Sequence, residues 1–124
     1  RHPVRLVIGF DGGTLGSRRQ GIGDLINFGT GIPEHDRAIA LVWGSPEDIR
    51  GSIDAAHDAP QFVVRAGKKS AKTWMTENID LSLIYKRLWP NDDMVYARIR
   101  FIGVASGRHS VRGIAEFSDL SLYR

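Results

Sequence analysis

Cysteine is absent from the 124 residues, which removes disulfide staples and thiolate metal sites and leaves the redox compartment unmarked. No apolar run approaches the roughly eighteen residues that a membrane-crossing helix needs, and no signal-peptide pattern opens the chain, so membrane insertion is not expected. The first residue is Arg1, not Met, and the sequence reads as one soluble domain, residues 1–124, cut from a longer protein. A strong excess of one charge is missing too: 17 basic residues face 14 acidic ones, a net charge of +3. Lys68, Lys69, Lys72 and Lys86 are 4 of those 17, and the other 13 are arginine. Arginine suits carboxylate and phosphate recognition. Here the basic residues are scattered among acids, and Arg18-Arg19 or Lys68-Lys69 read as solvated faces, so no nucleic-acid partner is expected.

The nucleotide and nucleophile motifs are lacking as well. "GFDGGTLGSRRQGIGDLINFG" (Gly9–Gly29) follows an apolar run, as a phosphate-binding turn would. A dinucleotide fingerprint needs a third glycine, and Gly21-Ile22-Gly23 continues as Asp24-Leu25-Ile26. The acid at that position would also repel phosphate at a helix start. No Gly-Lys-Ser/Thr and no Gly-x-Ser-x-Gly occurs. The stretch reads as a long connection, with Asp24–Phe28 as a turn of helix.

What is present is mostly strand pattern. Pro3–Phe10 and Arg37–Trp43 are short Val/Leu/Ile runs that predict strands buried on both faces. Gln61–Thr76 predicts a hairpin turning at Ala66-Gly67-Lys68-Lys69. Leu81, Ile84, Tyr85 and Leu88 fall at i, i+3, i+4 and i+7, which predicts one helix, with Asn78 as its cap, Lys86 and Arg87 near its C-terminus and Pro90 as its stop. From Val95 to Phe101 the period returns to two: Val95, Ala97, Ile99 and Phe101 on one face, Tyr96, Arg98 and Arg100 on the other. A closing strand is predicted over "VRGIAEFSDLSLYR". Strands joined by turns, with one short inserted helix, predict a mainly β, antiparallel β-sandwich.

Four segments carry a family resemblance: "HPVRLVIGFDG" (His2–Gly12), "AIALVWG" (Ala38–Gly44), "FVVRAGKKSAKTWMTENIDLSLIYKRLW" (Phe62–Trp89) and "ARIRFIGVASG" (Ala97–Gly107). In type and order they resemble the bacterial domain of unknown function 3047 family. That resemblance implies a galactose-binding-like jelly roll, a periplasmic or secreted location, and no assigned activity. The chain departs from the family in lacking the upstream strand with paired Trp residues and the Asp-rich stretch after "VAS". "AEFSDLSLY" resembles the last strand of carbohydrate-binding jelly rolls.

Two functions follow as expectations. The first is a non-catalytic module binding a glycan or cell-envelope ligand, because Trp and Tyr stack on sugars while Arg bonds hydroxyls; Tyr96, Arg98, Arg100 and Trp74 are its candidate ligand-binding residues. The second is a hydrolase or lyase acting on polysaccharide with acid/base carboxylates from Glu34, Glu47, Glu77 and Glu116, or with a His-Asp pair. His35-Asp36 and His57-Asp58, with His2 and His109, show no two-histidine metal spacing and read as surface histidines beside acids. No cofactor is expected beyond a structural calcium ion, for which Asn91, Asp92, Asp93 and Asp11 have the hard oxygens, although "PNDD" is first a turn sequence.

Overall fold

The two Val/Ile/Leu runs form the centre of the molecule. In the computed structural model, which describes residues 4–14, 33–44, 49–55, 59–66, 73–106, 117–118 and 120–122, β1 (Val4–Asp11) and β2 (Arg37–Gly44) lie antiparallel with Ile8 opposite Ile39. Around them stand β3 (Ile53–Asp54), β4 (Gln61–Ala66) and β5 (Arg98–Ser106), in the order β3-β4-β2-β1-β5. β4 runs parallel to β2, and the other pairings are antiparallel. The protein is mainly β, with one sheet and one helix, α1 (Leu81–Leu88), among the described residues. No helix among them is long and apolar enough to cross a membrane.

Cross-strand partners share a face of a sheet, so the register sorts the core. On one face Ile8, Phe10 and Ile39 meet Ile84 and Tyr85 of α1, with Leu41, Ile53 and Phe62 packed around them. On the other face Val7, Ala38, Ala40, Val42, Val63 and Ala105 form a second buried cluster of smaller side chains. An eight-residue helix is too short to persist in water alone, so α1 depends on burying Ile84 and Tyr85.

Several sequence expectations are corrected. The helix cap is Asp80, not Asn78: Asp80 Oδ1 accepts the Leu83 N–H at 3.0 Å, two residues nearer the first helical turn. Asp80→Ala is expected to cost about 1 kcal/mol, read as a lower urea midpoint at unchanged m-value. No hairpin joins β4 to Thr73–Thr76; β4 already has β2 on one edge and β3 on the other, and Thr73–Asp80 is irregular. The strand expected over Val95–Phe101 begins at Arg98 and runs on to Ser106. Phe117, Ser118 and Leu120–Leu122 are not in a strand, and the rest of the closing segment lies outside the described residues, as do Asp24–Phe28 and Gly67–Lys69.

Two register shifts turn side chains across the sheet. In β5, Phe101 pairs with Gly9 but Ile99 pairs with Phe10, leaving Arg100 as an extra residue. Ile99 and Phe101 therefore lie on opposite faces rather than sharing one: Phe101 packs on the small-residue cluster. In β4, Val63 pairs with Val42 and Arg65 with Trp43, so Val64 is the extra residue. That shift carries Arg65 to the helix side of the sheet, beside Trp43.

Candidate functional site

Two polar clusters form at opposite ends of β2, Arg37 and Trp43 being six residues and about 20 Å apart. At the Arg37 end the turn after β1 is tightly held. Gly12 has φ +98°, and a Cβ there would strike the Tyr96 carbonyl, so the Asp11-Gly12 turn needs its glycine. A Cβ on Gly13 would meet the Tyr85 hydroxyl. Asp36 closes this turn: its Oδ2 accepts from the Gly12 N–H (3.2 Å) and the Thr14 hydroxyl (2.7 Å), while its own N–H donates to the Phe10 carbonyl (2.9 Å).

Beside it Arg37 donates to both oxygens of Asp92, Nε to Oδ2 at 2.9 Å and Nη2 to Oδ1 at 3.0 Å, and Tyr85 donates its hydroxyl to Asp92 Oδ2 at 2.7 Å. The Arg37 guanidinium also lies over the Trp89 ring, 4.9 Å from its centroid. Burial pushes the Asp92 carboxyl up, but the hydrogen bonds from Arg37 and Tyr85 and the Arg37 charge outweigh it and hold the group below the usual carboxylate range. Burial, then the bond to Asp92 and its charge, hold the Tyr85 phenol protonated well above the ordinary tyrosine range. This cluster ties α1 and the turn after it to β2. Both Asp92 oxygens are taken by Arg37 and Tyr85, and Asp93 Oδ1 by the Val95 N–H at 3.0 Å, whereas Asp36 Oδ1 is buried with no hydrogen-bond partner among the described residues. Among the described residues no three His, Asp or Glu side chains gather as metal ligands.

At the other end Trp43, 41% exposed, has Arg65 as its partner on β4. Arg65 grips Glu77 with both arms of its fork, Nε to Oε2 and Nη2 to Oε1, the latter at 3.2 Å. Exposed Arg50 reaches the same carboxylate, its Nη2 lying 3.6 Å from Oε1, and anchors its Nε on the Val64 carbonyl at 3.1 Å. The Glu77 hydrogen bond raises Arg65 further above its already high value, so the guanidinium stays charged.

The sequence-predicted ligand residues divide between these ends. Trp74 is 69% exposed and, three residues before Glu77, lies within about 10 Å of it along the chain. Tyr96, 56% exposed, sits in the turn before β5. Arg98 pairs with Asp11 and donates its Nη1 to the Val95 (2.9 Å) and Ala97 (3.2 Å) carbonyls; Arg100 is the extra residue of the β5 irregularity. Tyr96, Arg98 and Arg100 are all exposed but do not share one strand face, because the strand starts too late and slips at Arg100. His35 and Asp36 are not surface residues: they are 2% and 3% exposed, with His35 Nδ1 3.0 Å from the Pro33 carbonyl and the ring edge-on to Phe101. His2, His57, Asp58, His109, Glu47 and Glu116 lie outside the described residues.

The chain matches no family model, no curated protein and no solved structure. Function has to be read from the two clusters themselves. The Asp92 ring of contacts is a clasp, since both carboxylate oxygens are held by Arg37 and the Tyr85 hydroxyl. The Trp43 end offers an aromatic surface and fixed charge to solvent. Sequence reasoning missed it because Arg65 and Glu77 are 12 residues apart, and the slip at Val64 that puts Arg65 beside Trp43 leaves no sequence signature.

Proposed function

We propose that the chain is a non-catalytic binding module for a glycan or cell-envelope ligand, built as an exported jelly-roll sandwich. The observation that carries this reading is a division of labour among side chains. Trp74 and Tyr96 are largely exposed to solvent and Trp43 partly so, while Asp36, Glu77, Asp80, Asp92 and Asp93 accept hydrogen bonds that hold the fold. Aromatic faces stack on the C–H side of sugars, and solvent-exposed tryptophan otherwise gains the fold little. The burial of Val7, Ala40 and Val42 on the face turned away from α1 supports a second layer there, as a sandwich requires. The hydrolase or lyase alternative draws no support from His35 and Asp36, whose side chains are sealed from any substrate. The test is a glycan array, spanning bacterial envelope and plant polysaccharides, probed with the purified chain. Binding to a structurally related set of glycans is expected. Silence across the array from protein that melts cooperatively overturns the reading.

A further inference from the structure

We propose that Trp43, Arg65, Glu77 and Arg50 form the ligand subsite, and that the sugar it takes carries a carboxylate. This rests on the glycan reading above and gives it a place and a ligand class. The irregularity at Val64 brings Arg65 to the same face as Trp43, next to it across the β2–β4 pair. An aromatic platform thus stands beside the Arg65–Glu77 pair on the sheet, with Arg50 at the same carboxylate, and a pyranose ring can lay its apolar face on the indole and turn its polar groups to Glu77 and Arg50.

Charge selects the ligand class. Arg50 and Arg65 contribute two positive charges and Glu77 one negative, leaving +1 at the cluster. Arg65 is committed to Glu77 by two hydrogen bonds, whereas Arg50 meets the same carboxylate only at 3.6 Å and keeps its guanidinium largely in solvent. Arg50 is therefore the arm that can take a ligand carboxylate in a bidentate bond without breaking a bond of the fold. Its stem stays fixed through the Nε bond to the Val64 carbonyl. Glu77, held between the two arginines, accepts from a sugar hydroxyl and repels a carboxylate placed on the wrong side.

The test is isothermal titration of the full chain with an oligogalacturonate and with the neutral galactan oligosaccharide of equal length, in low-salt buffer. The oligogalacturonate is expected to bind at least tenfold more tightly than the neutral sugar and to lose affinity at 0.5 M NaCl. Trp43→Ala and Arg50→Ala should each weaken it about tenfold or more, Trp43→Phe should retain most of it, and Arg87→Ala, on the exposed side of α1, should leave it unchanged. Thermal melting of each variant separates lost binding from lost fold. Equal affinity for the two sugars overturns the ligand class. Binding that survives Trp43→Ala and Arg50→Ala but fails in Tyr96→Ala overturns the location while leaving the glycan reading intact. Binding of neither sugar overturns this inference, and the array then decides whether the wider reading falls with it.

Discussion

Tyr85→Ala is expected to destabilise the protein by about 3–5 kcal/mol, a large part of the roughly 5–15 kcal/mol that holds a domain of this size. Tyr85 is fully buried on α1, with its ring edge-on to Phe10 (centroids 5.1 Å apart) and to Trp89 (4.9 Å). The truncation opens a cavity between α1 and the sheet, and it strips Asp92 of one of its donors. Tyr85→Phe isolates the second effect and should cost about 1–2 kcal/mol, because the ring keeps its packing and only the hydroxyl bond is lost. The pH dependence gives an independent check. Asp92 titrates below the usual carboxylate range in the folded protein, so its contribution is complete above the unfolded value near pH ~4 and disappears as pH falls through the folded one. Asp92→Asn should therefore lose stability at pH 7 and show a flatter fall in urea midpoint between pH 5 and pH 2 than the wild type. An acid limb in Asp92→Asn as steep as the wild type's would show that the Arg37–Asp92–Tyr85 ring of contacts does not set the acid response.

The parts of the fold legible in the sequence are those that local chemistry decides. β1 and β2 were readable because Val, Leu and Ile fill both faces of short runs, and α1 because Leu81, Ile84, Tyr85 and Leu88 repeat at helical spacing. Each of these segments needs burial on the faces its own pattern marks. The hairpin reading of Gln61–Thr76 failed on a non-local fact: β4 finds both partners elsewhere, one of them a parallel strand reached across an intervening segment. A turn-like "AGKK" states that the chain can reverse there and leaves open which strand the arms will pair with. The candidate site was less legible than the fold. The proposed subsite depends on Arg65 meeting Trp43, and a one-residue slip decides that. Period-two reasoning assigns Arg65 to the face of Val63; the slip at Val64 reverses it. The same error, in β5, placed Ile99 and Phe101 together.

Gly9→Ala should cost about 1–3 kcal/mol, and Gly9→Val more, although a glycine in the middle of a strand is ordinarily the weaker choice. Gly9 sits in the central strand β1, opposite Phe101 on β5, and the phenyl ring lies over the place where a side chain would be. A Cβ on Gly9 would fall 2.6 Å from Phe101 Cδ2 and Cζ and closer still to Cε2, so the ring would have to leave. It has little room to do so, because the His35 ring stands edge-on to it at 5.2 Å and the small-residue cluster lies beneath it. The glycine and the slip at Arg100 are thus two halves of one arrangement: the extra residue rotates Phe101 toward this face, and the missing side chain receives it. The two positions should be strongly non-additive. Phe101→Ala alone leaves a cavity over Gly9, Gly9→Ala alone forces a clash, and in the double variant the new methyl fills part of the space the ring vacated, so its cost should fall short of the sum by about 1 kcal/mol or more. Urea denaturation of the four proteins measures the coupling. Additivity within about 0.3 kcal/mol would mean that the ring and the glycine do not share that space, and the register of β5 on β1 would need another cause.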